Sequence, residues 1–260
     1  MVVTGASGGL GAALAEALAA PGRTLLLTGR DGDRLAAAAA RARARGAAVE
    51  VAATAYGAAH DDALRGFDVR VPVDLLVVNA GVKTGNGAGS EDPGQTARVI
   101  DVNLAGTLGT VEALLPRMRA RGRGRIALTG STAALSPVGD LLSYAATKAA
   151  LHAYATGLRR ALGGTGVGVT LLVPGFVDTP MTDRHDGPTP LLLSPEAAAA
   201  RFASGLARGR AEVAAPRRLV WGARLAEALP RPLADRIARG MAARIAPDGD
   251  EVRAGRHGRP

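Results

Sequence analysis

Cysteine is absent from this 260-residue chain, and aromatic residues make up only 3% of it. Without cysteine the chain has no disulfide framework, no cysteine-ligated zinc or iron–sulfur site and no thiol nucleophile, so catalysis must rely on other side chains. A groove for single-stranded nucleic acid uses stacked aromatic rings, which this composition hardly provides. The absences exclude thiol-based sites and predict no nucleic-acid partner.

Lysine and long apolar runs are scarce too. Only Lys83 and Lys148 are lysines among 32 basic residues, and the arginines that make up the rest are scattered without a dense block. The formal net charge of +9 therefore reflects composition rather than a binding patch for an anionic polymer. No stretch approaches the roughly 18 apolar residues of a membrane span, and no leader is recognisable, so we predict a cytoplasmic protein.

Apolar residues, in contrast, make up 47% of the chain, enough for a full core. Strands are predicted at 2–3, 24–28, 49–53, 73–78, 126–129 and 167–173, and helices at 10–18, 33–45, 95–121 and 144–162. Strands that are apolar throughout and alternate with helices predict an α/β fold, a doubly wound parallel sheet in three α/β/α layers. The short first strand favours a start assigned downstream of the natural one over a tolerated short strand.

A glycine-rich turn links the first strand to the first helix. Gly5, Gly9 and Gly11 leave room for a pyrophosphate against backbone N–H groups, although a plain tight turn would look similar. Arg30 follows the second strand, where a carboxylate would hold a ribose 2′-hydroxyl and an arginine would accept a 2′-phosphate. The pattern predicts a dinucleotide cofactor and favours NADP(H) over NAD(H).

A second constellation consists of Ser131, Tyr144 and Lys148, with Asn103 upstream. Tyr144 and Lys148 are four residues apart near a helix start, so their side chains share one face. An ammonium group near a phenol stabilises the phenolate and lowers the pKa of the tyrosine towards the working range of an acid/base catalyst. Such pairs are commonly plain surface contacts, but lysine is so rare here that we interpret this one as functional.

Other polar residues have simpler interpretations. Four hydroxyl-bearing residues near Ser131 are each expected to serve a turn or a helix cap: Thr129, Thr132, Ser136 and Ser143. His152 lies two helical turns beyond Tyr144 and is expected to be a packing or surface residue. No metal site is predicted, because three histidines have no partner at metal-ligand spacing: His60, His185 and His257.

Taken in order, these motifs resemble those of the short-chain dehydrogenase/reductase family. The resemblance rests on TGASGGLG (4–11), NAG (79–81), the asparagine of VNLAG (Asn103), Ser131, YAATK (144–148) and PGFVDTP (174–180). It implies a Rossmann-type catalytic domain over residues 1–215. The residues implied to bind the cofactor are Thr4, Gly5, Ser7, Gly9, Leu10, Gly11, Arg30, Asn79, Ala80, Gly81, Tyr144, Lys148, Pro174, Gly175, Val177 and Thr179.

The resemblance also implies roles for the second constellation. Tyr144 would be the general acid/base, and Lys148 would lower its pKa and hold the nicotinamide ribose. Ser131 would position the substrate oxygen, and Asn103 would hold a water that connects Lys148 to bulk solvent. Where the family usually has an aspartate near the adenine, this chain has Thr54, so weaker adenine contacts are expected.

The substrate end is less defined by the sequence. Residues 181–193 mix glycine, proline and apolar side chains, which is typical of a mobile lid. Four apolar residues either form a wall of the substrate pocket or belong to the core: Leu135, Val138, Leu141 and Leu142.

Residues 216–247 form a basic amphipathic extension beyond the family's common core. Apolar residues recur there every four positions, and Pro230 and Pro232 predict a break between two helices. The stretch 217–246 would lie on an anionic membrane surface or, as the simpler interpretation, cap the substrate cleft or form a dimer contact. Residues 248–260 are expected to be a disordered tail.

The sequence thus predicts an NADP(H)-dependent oxidoreductase that interconverts a ketone or aldehyde and an alcohol, with Tyr144 as general acid/base. We expect a small carbonyl or alcohol substrate and a homodimer or homotetramer. Two alternatives stay open: a non-catalytic nucleotide-binding regulatory protein, and a peripheral membrane enzyme that acts on lipid-like carbonyls. No residue pattern identifies the substrate.

Overall fold

The computed structural model describes residues 1–84, 91–137, 141–241 and 243–246. Val138 and the predicted tail at 248–260 lie outside the described residues. The main sheet is built from β1 (Val2–Thr4), β2 (Thr24–Gly29), β3 (Ala48–Ala53), β4 (Leu75–Val78), β5 (Gly124–Thr129), β6 (Val167–Pro174) and β8 (Glu212–Ala215). A two-stranded antiparallel sheet consists of β7 (His185–Asp186) and β9 (Arg244–Ile245).

The helices cover the segments between these strands. They are α1 (Gly9–Leu18), α2 (Gly32–Ala44), α3 (Ala58–Arg70), α4 (Pro93–Val99), α5 (Gly106–Arg121), α6 (Leu142–Ala161), α7 (Pro180–Asp183), α8 (Pro195–Ala207), α9 (Arg217–Glu227) and α10 (Arg231–Gly240). The helix predicted at 95–121 contains a π-helical segment, Ile100–Ala105, between α4 and α5. By length and composition alone the stretch Pro93–Arg121 could cross a membrane, but α5 packs against α3, β4 and β5 as a core helix does.

The seven strands of the main sheet are parallel and lie in the order β3-β2-β1-β4-β5-β6-β8. Side chains alternate between the two faces of a strand, and both faces are buried in the central strands, whereas the edge strand β3 is largely exposed. Val3 and Leu27 face a core that includes Phe202 of α8, whereas Val2 and Leu26 face a core that includes Phe67 of α3. The predicted three-layer, doubly wound α/β fold is confirmed.

The short strand β1 occupies the centre of the sheet and pairs with both β2 and β4. Met1 extends this pairing, because its amino group donates to the carbonyl of Thr24 at 2.8 Å and its carbonyl accepts from the amide of Leu26 at 2.9 Å. From β1 the chain builds outwards first to β2 and β3, then in the opposite direction from β4. A crevice opens at the carboxyl ends of strands where the order reverses in this way, and ligands of such sheets bind there.

Candidate active site

A cavity of about 800 Å³ lies at the carboxyl ends of the strands. Every residue that the sequence predicted to bind the cofactor lines it, except Gly11, and Ser131 lines it as well. Asn103 is fully buried outside the cavity lining. The fold therefore brings the two separately predicted constellations together around one space.

The glycine turn after β1 packs closely against the NAG segment after β4. Gly5 has φ +65°, and a Cβ on it would lie 2.6 Å from the Cα of Ala80. Gly11 supports the turn from behind, because a Cβ there would lie 2.1 Å from the carbonyl oxygen of Gly5. A Cβ on Gly8 would meet nothing within 4 Å, so this part of the backbone is open to the cavity. This open backbone at the start of α1 fits a pyrophosphate.

Thr4 ties the two segments together at the end of β1. Its hydroxyl accepts hydrogen bonds from the amides of Asn79 at 3.0 Å and Ala80 at 3.1 Å. Thr179, from the segment after β6, reaches the same turn, since a Cβ on Gly9 would lie 3.1 Å from its methyl carbon. Three chain segments therefore form one cradle, and the residues present fit a dinucleotide.

Arg30 lies at the cavity end of β2 and lines the cavity. The neighbouring carboxylate of Asp31 is engaged elsewhere, because it caps α2 by accepting from the amide of Arg34 at 3.0 Å. The same carboxylate pairs with the guanidinium of Arg34 at 3.2 Å. Because Asp31 caps α2, the charged residue that lines the cavity at the end of β2 is the cation Arg30.

The segment after β3 forms a wall that the sequence did not reveal. Thr54 contacts Nδ1 of the buried His60 at 3.3 Å. The rings of Tyr56 and His60 are perpendicular with centroids 5.0 Å apart, and the hydroxyl of Tyr56 lies 3.3 Å from that of Thr4. Thr54, Tyr56 and His60 all line the cavity. No local motif marks Tyr56 and His60, because the contacts that tie them to the rest of the site, with Thr4 and Thr110, join residues 50 or more positions apart.

Lys148 and Tyr144 lie on one turn of α6, as predicted. The ammonium of Lys148 donates to the carbonyl of Thr129 at 2.8 Å and lies 5.6 Å from the centroid of the Tyr144 ring. Burial lowers the pKa of Lys148 to about 8. Burial also raises the pKa of Tyr144, and a hydrogen bond with Ser131 offsets this only in part. The direction is opposite to the lowering that was expected from Lys148, because burial of the phenol dominates.

Ser131 is held by the backbone around it. Its hydroxyl oxygen accepts from the amide of Ala133 at 3.1 Å, which leaves its own proton free to donate. Its amide donates to Nε2 of His152 at 3.4 Å. Burial lowers the pKa of His152 to about 4, so the ring is neutral and Nε2 serves as an acceptor. His152, predicted to be a packing or surface residue, thus packs directly behind Ser131.

Asn103 sits in the π-helical segment and holds the chain just after the NAG motif. Its Oδ1 accepts from the amide of Val82 at 2.7 Å, and its Nδ2 donates to the carbonyl of Val82 at 2.9 Å. Nδ2 also lies 3.3 Å from the hydroxyl of Thr147. The side chain is thereby committed to the protein, and its role in holding a water stays a prediction.

Of the alternatives near Ser131, Ser143 holds the start of a helix, whereas Thr129, Thr132 and Ser136 line the cavity and the Thr129 hydroxyl has no partner among the described residues. Ser143 donates through its hydroxyl to Glu91 at 2.8 Å and through its amide at 3.0 Å, which fixes the start of α6.

Of the predicted apolar wall, Leu141 lines the cavity and Leu135 packs against the core. Leu142 is exposed, so its assignment to a wall or core is wrong.

The far end of the cavity is closed by the lid segment and the C-terminal helices. The lid segment contributes Met181 and His185, and α9 and α10 contribute Leu219 and Ile237. The break between the two helices lies between Glu227 and Arg231, as the prolines predicted. Residues 217–240 thus cover the substrate end of the cleft.

Comparison with known proteins gives consistent results. A sequence model of the family described as short chain dehydrogenase matches residues 1–188. An uncharacterised oxidoreductase of Myxococcus xanthus is 37% identical over 242 residues, which are 92% of this chain and 95% of that protein.

Two solved structures share the fold over most of their length. A 3-oxoacyl (acyl-carrier-protein) reductase from Agrobacterium tumefaciens with NADP bound is 31% identical, with a TM-score of 0.70 over 79% of this chain and 85% of that chain. A short-chain dehydrogenase from Sphingobium yanoikuyae in complex with NADPH is 27% identical, with a TM-score of 0.74 over 88% and 96% of the two chains.

Proposed function

The chain belongs to the short-chain dehydrogenase family, and from that premise we propose that it interconverts a ketone or aldehyde and an alcohol with NADP(H), using Tyr144 as proton donor and acceptor. One observation carries the proposal. Ser131, Tyr144 and Lys148 line the same cavity as the open glycine turn. A regulatory protein that only bound a nucleotide would have no use for this set, which counts against the non-catalytic alternative.

The protein side of the reaction follows from the contacts of these three residues. A bound nicotinamide cofactor supplies the hydride in reduction and accepts it in oxidation. With its pKa raised, Tyr144 is protonated at neutral pH and can donate its proton to the oxygen of a carbonyl substrate. Ser131, whose oxygen already accepts from Ala133, donates to the same substrate oxygen and orients it. Lys148, anchored on Thr129, has two further N–H groups for ribose hydroxyls.

The preference for NADP(H) rests on Arg30. A guanidinium can bind a phosphate through two parallel, charge-assisted hydrogen bonds. The carboxylate that would favour NAD(H), Asp31, is occupied as the cap of α2. The NADP and NADPH bound in the two similar structures support the same preference.

A fluorescence titration of the protein with NADPH and NADH tests the cofactor proposal without a known substrate. We expect clearly tighter binding of NADPH. A screen of ketones and aldehydes with NADPH then tests turnover, with Tyr144→Phe as the decisive variant, since it lacks only the hydroxyl. Turnover should fall by about 10²- to 10⁴-fold in this variant while NADPH binding persists. Undiminished turnover would refute the role of Tyr144, and binding of neither nucleotide would refute the proposed function.

A second candidate function, an enzyme acting on lipid-like carbonyls at an anionic membrane surface, is favoured by one observation. The helices that close the substrate end expose apolar side chains to solvent, with Trp221 at 61% and Leu225 at 68% exposure. Arginines lie among them, and Ile237 is part of both the exposed face and the cavity lining. An apolar face with flanking arginines suits an anionic lipid surface, from which an apolar substrate would reach the cavity.

Assembly and location are further predictions from the sequence. We propose a homodimer or homotetramer in the cytoplasm. Light scattering after size-exclusion chromatography measures the mass of the assembly, and a monomeric mass of 26.2 kDa would contradict this part of the proposal.

A further inference from the structure

Lys83 is the only lysine besides Lys148 in the chain, and it lines the same cavity. Its side chain is only 7% exposed, and burial together with the charge of Arg184 lowers its pKa to about 8. Over the described residues no carboxylate pairs with its ammonium group, and the adjoining segment 85–90 contains no acidic residue. A buried ammonium that stays charged at neutral pH is stabilised by a counter-charge, and among the described residues no carboxylate contributes to the electrostatics of Lys83.

His185 is the second polar side chain at this end of the cavity. It is 9% exposed, and its Nε2 has no hydrogen-bond partner in the part of the chain that the structure describes. Its ring packs against Phe176, with centroids 5.2 Å apart. Burial, followed by the charge of Lys83, lowers the pKa of His185, and a hydrogen bond to the backbone of Pro188 and the charge of Asp186 offset this only in part.

Both side chains are held in place by contacts of their own backbone. Arg184 donates to the carbonyl of Lys83, and the amide of Ala246 donates to the carbonyl of Arg184 at 2.9 Å. His185 is in β7 and pairs with Ile245 of β9. Lys83 follows the segment that Asn103 clamps. The backbone positions from which the two side chains extend are therefore fixed by the fold.

We propose that Lys83 and His185 form a subsite for an anionic group of the substrate, a carboxylate or a phosphate. This inference rests on the proposed function, because the subsite belongs to the same cavity as Tyr144. The ammonium of Lys83 donates to the anion, and the anion stabilises a proton on His185, which then donates as well.

The rest of the lining defines the other half of the substrate. Met181, Leu219, Ile237 and Met241 surround this end of the cavity with apolar surface. The glycine turn already provides the backbone donors for a cofactor phosphate, so the lysine is left for the substrate. The subsite therefore selects a carbonyl compound with an apolar body and one anionic end.

The test follows the imidazole signals of the histidines in NMR spectra. Because the chain has only four histidines, the signals of His185 can be resolved. Saturating NADPH is present, so that cofactor phosphate sites are filled, and butyrate, inorganic phosphate and the neutral isostere butyramide are titrated. We expect butyrate or phosphate, but not butyramide, to shift the His185 signals. A response to butyrate assigns the subsite to carboxylates, and a response to phosphate assigns it to phosphates.

Variants of the lysine separate the subsite from general salt effects. Lys83→Met keeps the apolar stem and should weaken the anion response by about 10- to 100-fold, because one charge-assisted hydrogen bond is lost. Lys83→Arg keeps the charge and should retain the response, as should Arg41→Met, which removes a cation outside the cavity. An unchanged response in Lys83→Met, an equal response to butyramide, or no response of the unmodified protein would each overturn the inference. NADPH fluorescence in the same samples reports on the proposed function separately.

Discussion

Asn103 holds the backbone of Val82 from both sides, accepting from its amide at 2.7 Å and donating to its carbonyl at 2.9 Å. The π-helical segment is thereby joined to the chain between the NAG motif and Lys83. A Cβ on Gly81 would lie 3.5 Å from the Lys148 ammonium, so this segment also borders the reactive end of the cavity. Asn103 thus acts on the site as a positioning residue, through the backbone that it holds.

Replacement of this side chain should destabilise both the fold and the site. Asn103→Ala leaves the part-buried amide and carbonyl of Val82 without their partners, which costs up to about 1–3 kcal/mol for each group. We expect a lower midpoint of thermal unfolding and faster hydrogen exchange of the Val82 amide. Ile100→Ala, on the exposed side of the same segment, is the control and should change neither. Normal protection of Val82 in Asn103→Ala would contradict the positioning role.

Arg30→Ala should weaken the binding of NADPH but not that of NADH. Loss of a charge-assisted contact to the 2′-phosphate weakens binding by about 1.5–3 kcal/mol, which is roughly 10- to 100-fold in the Kd for NADPH. The Kd for NADH should change little, since NADH lacks that phosphate. Arg41→Ala, which removes an arginine of α2 paired with Glu16, serves as the control. Equal weakening of both cofactors would assign Arg30 to a general electrostatic role.

The sheet could be predicted because its signals are local. Six of its strands are apolar runs, and each is recognisable without its neighbours. The strand β8 reads Glu-Val-Ala-Ala and becomes a strand only by pairing with β6. Helix α8 is absent from the prediction although its start carries a local signal, since Ser194 caps it and Pro195 occupies its first turn. Helix α3 has few large apolar residues, and its burial against α5 decides its structure.

The candidate site likewise combines residues that short motifs reveal with residues that only the fold brings together. The glycine turn and the Tyr144–Lys148 pair are short motifs whose spacing already indicates their chemistry. Lys83 and His185 line one cavity only in the fold, because the segments that carry them, joined by the contact of Arg184 with the Lys83 carbonyl, lie about 100 residues apart along the chain. The raised pKa of Tyr144 could not be predicted from the sequence either, because the direction of the shift depends on the burial of the phenol in the fold.

The raised pKa of Tyr144 predicts opposite pH dependences for the two directions of the reaction. Reduction uses the protonated phenol, and Lys148 keeps its charge below its pKa of about 8, so kcat/KM for reduction should stay level from pH 6 to about 7.5. Oxidation uses the phenolate, so its kcat/KM should rise about tenfold per pH unit over the same range as the proton is lost. A substrate pair from the screen suffices for both profiles. Oxidation that is level across this range would contradict a raised pKa.

The membrane proposal predicts flotation with anionic vesicles. Protein mixed with vesicles of phosphatidylglycerol and phosphatidylcholine should float in a density gradient, whereas pure phosphatidylcholine should not retain it. Trp221→Ser combined with Leu225→Ser removes the two most exposed apolar side chains of α9 and should abolish flotation. Val69→Ser, an equally exposed apolar site on α3, is the matched control. Flotation that survives the α9 changes, or self-association through this face in light scattering, would count against a lipid surface.

Asp68 carries the largest network of charged contacts in the described core. Its carboxylate is fully buried and accepts from Arg117 at 2.5 Å, from Arg121 at 2.8 and 2.9 Å and from the amide of Val73 at 2.8 Å. Burial acts to raise the pKa of Asp68, but the hydrogen bonds from Arg121, Val73 and Arg117 outweigh it and hold the pKa below its ordinary value.

The sign of the stability effect follows from this lowered pKa. In the unfolded chain the carboxyl titrates at about 3.9, so its stabilisation is complete above that pH and is lost as the pH falls through the lower folded pKa. Asp68→Ala removes the shared acceptor of the partly exposed Arg117 and Arg121 and of the Val73 amide, and it should lower the free energy of unfolding by about 1–3 kcal/mol at pH 7. Asp68→Asn keeps the shape and an acceptor for Val73 but cannot titrate, so denaturant unfolding between pH 2 and 5 should depend less on pH than in the unmodified protein. If the free energy of unfolding depends on pH in the same way in Asp68→Asn and in the unmodified protein, other carboxylates, and not Asp68, govern acid unfolding.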